Sequence, residues 1–214
     1  MLGPTGVGKS PLGDTIARRG LLGRRCHHLD FGSELRAAVS IADRSADYSA
    51  KELAFIHGVL ERGLLLENEH FPLAVKIISL FLDRSVFSRR DHDMLILNGI
   101  PRHAGQARDI ASIADIQALC VLDCSAAVVL SRIHSNVGGD RSVRVDDDNV
   151  LIEKKLVIYR ERTKPLVDHY EKRGLRIFRI DVTSEMTPAD AYGVLLSLAA
   201  SDPPVSLVAE PPER

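Results

Sequence analysis

Short apolar runs alternate along the chain with stretches of helical period. The strand candidates are Arg25–Asp30, Met94–Asn98, Ala118–Asp123 and Leu175–Asp181, and helices fill the gaps. Leu12, Ile16 and Ala17 recur at helical spacing after Pro11, a good first-turn residue, and Gly20 follows Arg18-Arg19 as a stop. Ser49-Ala50-Lys51-Glu52 has the form of a capping box, and Leu53, Ile56, Val59 and Leu60 extend its apolar face up to Gly63. Asn68 is the expected cap of the next helix, with Phe71, Val75, Ile78 and Leu82 on one face. Residues 150–173 read as one long helix or two, broken at Pro165. This βαβα rhythm predicts a parallel sheet covered on both faces, with ligands at the C-terminal ends of the strands.

Residues 3–10 add chemistry to that frame. Gly3-Pro4-Thr5-Gly6-Val7-Gly8-Lys9-Ser10 is a complete G-x-x-x-x-G-K-[ST] loop. In such a loop the backbone N–H groups of residues such as Thr5, Gly6, Val7 and Gly8 cradle phosphate oxygens, aided by the positive helix end behind them. Lys9 would reach the β- and γ-phosphates of a nucleotide, and Ser10 would offer its hydroxyl to Mg²⁺. The motif needs a strand in front, yet only Met1 and Leu2 stand where about five residues belong. A start upstream, with several apolar residues before Leu2, is therefore expected. Without it the core would be exposed on both faces of the sheet.

Composition narrows the alternatives. The 214 residues suit one domain, taken as residues 1–200, and a tail from Ser201, rich in Pro and Glu, is expected to be disordered. A net charge of −1 gives no case for nucleic acid or a membrane surface as partner. No apolar run is long enough to span a membrane. The three cysteines, Cys26, Cys120 and Cys124, form no C-x-x-C pair, and Cys120 and Cys124 are expected to be buried thiols. That usage suits a reducing, cytoplasmic setting.

Three further segments follow strand candidates or precede helices. Leu97-Asn98-Gly99-Ile100-Pro101-Arg102-His103-Ala104-Gly105-Gln106-Ala107 throws Arg102 out at the active edge of the sheet. His28-Leu29-Asp30-Phe31-Gly32-Ser33-Glu34-Leu35-Arg36 also follows a strand candidate. Arg144-Val145-Asp146-Asp147 precedes a helical stretch running through Lys155, Tyr159, Thr163, Pro165 and Tyr170.

With the loop, these segments resemble the adenylate kinase family of nucleoside monophosphate kinases, in order and over most of the chain. The resemblance implies a P-loop three-layer αβα fold of the α/β class. Its sheet would have about five parallel strands, the first truncated here, with two mobile insertions. The monophosphate-binding insertion would span about residues 30–66 and a short lid about residues 134–145. By position, Arg36 and Arg102 would hold the acceptor monophosphate, together with Phe31, Gly32 and Gly99. Gln106 would contact its base, in a pocket lined by Leu64 and Leu66. Arg132 would stack on the donor adenine. Arg141 and Arg144 would fold in from the lid onto the transferring group, with Lys155 where the family has a phosphate-binding Arg. Asp146 and Asp147 resemble lid-hinge carboxylates, and His103 is a candidate contact of the acceptor phosphate. The activity implied is transfer from ATP, with Mg²⁺, to a monophosphate, by a monomer. AMP is the first expected acceptor and CMP or UMP the alternatives. Other readings are a nucleotide-binding module with degraded catalysis and a kinase of another small metabolite.

Several positions depart from the family pattern. Asn98 stands where the family has an Asp that supports Mg²⁺ and its waters. One of Asp30, Ser33 and Glu34 nearby is expected to compensate. Phe31 replaces a Thr beside the acceptor base, and either stacks on a base or belongs to the core. Lys155 keeps the charge of an Arg and loses its fork, and a second lid Arg aligns with Asn136.

Overall fold

A computed structural model describes residues 1–88, 92–140 and 149–201. Strands β1 (Cys26–Asp30) and β2 (Met94–Asn98) pair in parallel, with Cys26 opposite Met94 and Asp30 opposite Asn98. Strands β3 (Ala118–Asp123) and β4 (Arg176–Asp181) form a second parallel pair, from Ala118 opposite Arg176 to Asp123 opposite Asp181. Met1 and Leu2 join the two pairs. The Leu2 N–H donates to the Cys120 carbonyl (2.8 Å), and the Leu122 N–H donates to the Leu2 carbonyl (2.9 Å). The Met1 amine donates to the Leu97 carbonyl of β2 (2.6 Å). The lateral order is thus β1-β2-(Met1-Leu2)-β3-β4. Leu2 is buried on one face of the sheet, and Met1 packs against the core on the other.

Alternation along β3 shows why the runs are apolar on both faces. Leu119 and Val121 point into one core, with Leu166, Val167 and Tyr170. Cys120 and Leu122 point into the opposite core, with Leu12, Ile16 and Leu195. The second core lies under α1 (Lys9–Arg19) and α10 (Pro188–Ser201), which pack on each other. The first lies under α6 (Ala104–Ile110) and α9 (Leu166–Glu171). This is the expected three-layer αβα arrangement. Cys120 and Cys124 are only half-buried against the α1 side, whereas Cys26 is fully buried, and all three are free thiols.

A further core lies beyond the β1 edge, among α2 (Phe31–Ser40), α4 (Ala50–Arg62) and α5 (Phe71–Arg84), with the short helix α3 (Ala42–Ser45) between α2 and α4. Ile56 and Ile77 are wholly buried there. The capping box forms as read: Ser49 Oγ accepts from the Glu52 N–H, the Glu52 carboxylate accepts from the Ser49 N–H, and Gly63 closes α4 in the left-handed region. Asn68 does not cap α5. It opens a single 3₁₀ turn (Asn68–His70), its side chain lies against Gly105, and Pro72 in the first turn marks where α5 starts.

Helix α7 (Ala126–Ser135) follows β3 and ends at Asn136 in the left-handed region. Residues 150–173 do not form one continuous helix. Helix α8 (Asn149–Ile158) widens into a π-helical turn (Tyr159–Thr163), and α9 resumes after Pro165. Ser201 still belongs to α10, while the rest of the expected tail lies outside the described residues.

Candidate active site

The ends of β1 and β2 and the loop at residues 3–8 open into one cleft, whose solvent space measures about 180 Å³. The loop is held by glycine where nothing else fits. At Gly3 (φ +154°) a Cβ would fall 2.6 Å from the Leu122 carbonyl oxygen, so β3 itself presses on the turn. Gly8 (φ +103°) is the left-handed N-cap of α1, where a Cβ would meet the Arg132 guanidinium at 3.0 Å. Helix α1 therefore begins at Lys9, and its positive N-terminal end faces the cleft. The Lys9 ammonium donates to the carbonyls of Gly3 (2.8 Å) and Pro4 (2.6 Å), folding over its own loop.

Parallel register places Asp30 beside Asn98. Asp30 ends β1 and caps α2, its Oδ1 accepting from the Ser33 N–H (2.9 Å). Its Oδ2 accepts from Asn98 Nδ2 (3.0 Å) and from the Ser10 hydroxyl, and Asn98 Nδ2 also donates to Ser10 Oγ (3.2 Å). Ser10, Asp30 and Asn98 thus form one triangle at the foot of the cleft. Glu34, another suspected compensating carboxylate, turns away and pairs with Arg44 (2.7 Å) and Arg84 (2.6 Å).

Arg36 lies one helical turn beyond Gly32 on α2, and both line the cleft. Arg102 enters from the β2–α6 turn. Its N–H donates to Gln106 Oε1 (2.8 Å) and its carbonyl accepts from Thr163 Oγ1 (2.9 Å), so the π-helical turn anchors the backbone that carries it. Burial lowers the pKa of Arg102, and the Asp30 charge partly offsets this; an arginine stays protonated regardless. Neither Arg36 nor Arg102 makes an ion pair with any described residue. Together with Lys9 and Lys155 they bring four cations to the cleft among the described residues, against two carboxylates, Asp30 and Asp140. Such an excess suits a polyphosphate.

Most predicted site residues meet here. Thr5, Gly6, Gly8, Lys9 and Ser10 line the donor side. Phe31, Gly32, Arg36, Gly99 and Arg102 line the other, with Leu64, Leu66, Gln106, Asn98 and Lys155. Phe31 is 4% exposed and packs in the α2–α4–α5 core. Gln106 is buried, and its amide is committed to the Leu66 carbonyl (2.8 Å) and to the Arg102 N–H. Gly3 and Val7 support the loop from behind, Val7 being buried in the core. Arg132 also sits behind the loop. It is buried, and its guanidinium donates to the carbonyls of Thr183 (2.7 Å) and Met186 (2.8 Å). His103 turns away from the cleft: its ring accepts from the Gln106 N–H as the cap of α6 and binds the Leu66 carbonyl (3.0 Å). Arg141, Arg144, Asp146 and Asp147 lie outside the described residues. Thr163 belongs to a segment that carries the family resemblance, which gives it no role of its own; Leu65 lies between the expected pocket residues Leu64 and Leu66, and Asp140 carries no sequence signal.

The donor set at the loop fits Mg²⁺. It offers a hydroxyl and a carboxylate, both hard oxygen ligands, beside a phosphate cradle. No group of three or more His, Cys, Asp or Glu side chains gathers to hold a metal by itself among the described residues.

A parallel αβα sheet with this loop, and two cleft arginines that no described carboxylate pairs, are the features of a P-loop phosphotransferase. No protein-family model matches the chain. It is 30% identical over 205 residues to an adenylate kinase of Prochlorococcus marinus (strain MIT 9303), covering 94% of this chain and 93% of that protein. It is also 30% identical over 214 residues to an adenylate kinase of Nitrobacter hamburgensis, covering 94% of each. An adenylate kinase of Deinococcus radiodurans is 27% identical over 208 residues. The chain belongs to the adenylate kinase family. No described helix is long and apolar enough to cross a membrane.

Proposed function

We propose that this protein transfers the γ-phosphoryl group of ATP reversibly to a nucleoside monophosphate, with AMP as the first acceptor and CMP and UMP as alternatives. The observation that carries the reading is one cleft lined both by the phosphate loop and by two arginines, Arg36 and Arg102, that have no carboxylate partner among the described residues. The loop holds the phosphates of one nucleotide; a second anchored anion accounts for the two arginines across the cleft from it.

In-line phosphoryl transfer asks the protein to align two phosphates, match developing charge and exclude water. Arg36 and Arg102 fix the acceptor phosphate. Lys9, released from the Gly3 and Pro4 carbonyls, meets the β- and γ-phosphates. Lys155 reaches the same space from α8. Arg141 and Arg144, with Asp146 and Asp147 at the hinge, close the site from a lid at about residues 134–145, and residues 30–66 act as the acceptor-binding insertion. The Ser10 hydroxyl would hold Mg²⁺, which when bound would neutralise phosphate charge. Leu64, Leu65, Leu66 and Phe31 give the acceptor base an apolar wall. Arg132, buried behind the loop with its guanidinium on the Thr183 and Met186 carbonyls, stiffens the floor beneath the loop instead of stacking on the donor adenine. The protein acts as a monomer in the cytoplasm.

A second reading, a nucleotide-binding module without turnover, draws support from Asn98 in place of a family carboxylate. A coupled assay with Mg²⁺, ATP and AMP, CMP, UMP or GMP separates the two. ADP formed only when a monophosphate is present supports the kinase. ATP binding with no turnover on any monophosphate supports the module.

A further inference from the structure

We infer that Asp30 is the carboxylate that orders the Mg²⁺ site, and that Asn98 is its positioning residue, so the charge has moved from the end of β2 to the end of β1. The inference rests on the nucleotide-binding part of the proposed function and deepens it. Two carboxylates line the cleft among the described residues, Asp30 and Asp140. Asp30 touches the hydroxyl of Ser10, the side chain that would ligate the metal. Glu34 is consumed by Arg44 and Arg84, and the Ser33 contact runs through its backbone N–H.

The hydrogen bonds have a direction that suits the task. The Ser10 hydroxyl donates its proton to Asp30, and it accepts one N–H from Asn98 at 3.2 Å. A carboxylate that takes the proton of a ligating hydroxyl also raises its strength as a ligand and fixes its direction. The Asn98 amide donates to Asp30 at 3.0 Å and holds the carboxylate in place without adding charge. A second carboxylate at position 98 would stand at that same distance from Asp30, where two negative charges repel and one takes up a proton. Position 98 is therefore an amide because position 30 is an acid. The adjacency follows from the backbone, since Asp30 and Asn98 are register partners.

The test uses Mn²⁺ as probe, with the full chain and a non-hydrolysable imido analogue of ATP, read by the loss of the free Mn²⁺ paramagnetic resonance signal. Asp30→Asn should weaken Mn²⁺ binding to the protein–nucleotide complex by about 10- to 100-fold. Asn caps a helix as well as Asp, so α2 keeps its start. Asp30→Ser, another good cap without charge, gives an independent reading of the same loss. The double variant Asp30→Asn/Asn98→Asp exchanges acid and amide and should recover most of the affinity. Wild-type Mn²⁺ affinity in folded Asp30→Asn and Asp30→Ser overturns the assignment, as does a double variant no better than Asp30→Asn. If wild type phosphorylates no monophosphate yet loses Mn²⁺ on Asp30 substitution, the kinase reading falls and the Asp30 assignment stands.

Discussion

Arginines in this protein divide by their partners. Arg25 is tied to Asp93, Arg44 and Arg84 to Glu34, Arg162 to Glu67, and Arg179 to Glu171. Arg36 and Arg102 line the cleft with no such anchor among the described residues. Gathering cations in one cleft is unfavourable unless an anion joins them. Arg102→Ala should accordingly lower kcat/KM for the monophosphate by about 10²-fold or more. ATP affinity, measured by calorimetry, should change little; unaltered kcat/KM would remove Arg102 from the acceptor site. Arg102 was legible in the sequence because it follows a strand end, and Arg36, within α2, through the family resemblance of its segment. Gln106, His103 and Arg132 were legible as positions but not as contacts. His103 proves to be a cap, because its ring nitrogen lies within reach of the Gln106 N–H. Spacing in sequence fixes where a side chain starts, and packing decides where it points.

Elements follow the local chemistry more closely. The four strands lie within one residue of the expected runs, because alternation into two apolar cores leaves little freedom. The capping box of α4 shows what local sequence alone can specify. Hydrogen bonds from Ser49 and the Lys76 ammonium hold the Glu52 carboxyl at about 2, well under its ordinary 4.5. A depressed folded-state pKa gives stability that is present above pH 4.5 and is lost as pH falls toward 2. The stability advantage of wild type over Glu52→Gln, read by urea unfolding, should be present at pH 7 and gone near pH 2. An advantage independent of pH would contradict this. Ser49→Ala should cost about 1 kcal/mol at neutral pH. Less legible was the passage from α5 backwards: Asn68 looks like a cap, but tertiary contact with Gly105 draws its side chain elsewhere. The π-helical turn carried no visible signal either, although it places Thr163 under the Arg102 backbone.

At the scale of the molecule, the loop of residues 3–8 is gripped from behind by β3 and Arg132, while Arg36 and Arg102 ride on elements around a separate core. A ligand that spans the cleft ties these parts together. Saturating Mg-ATP at about 100 times its Kd should add about 2.7 kcal/mol. For a chain of this size that corresponds to a rise in Tm of about 5–10 °C by calorimetry. No rise would show that the loop does not hold ATP. That both nucleotides share one cleft is the central claim, and label transfer tests it most directly. ATP carrying ³²P at the γ-position is incubated with the protein, Mg²⁺ and AMP, and the products are separated. The account predicts label in the β-phosphate of newly formed ADP, with little inorganic phosphate. Label appearing as inorganic phosphate, with no labelled nucleoside diphosphate from AMP, CMP or UMP, would contradict it.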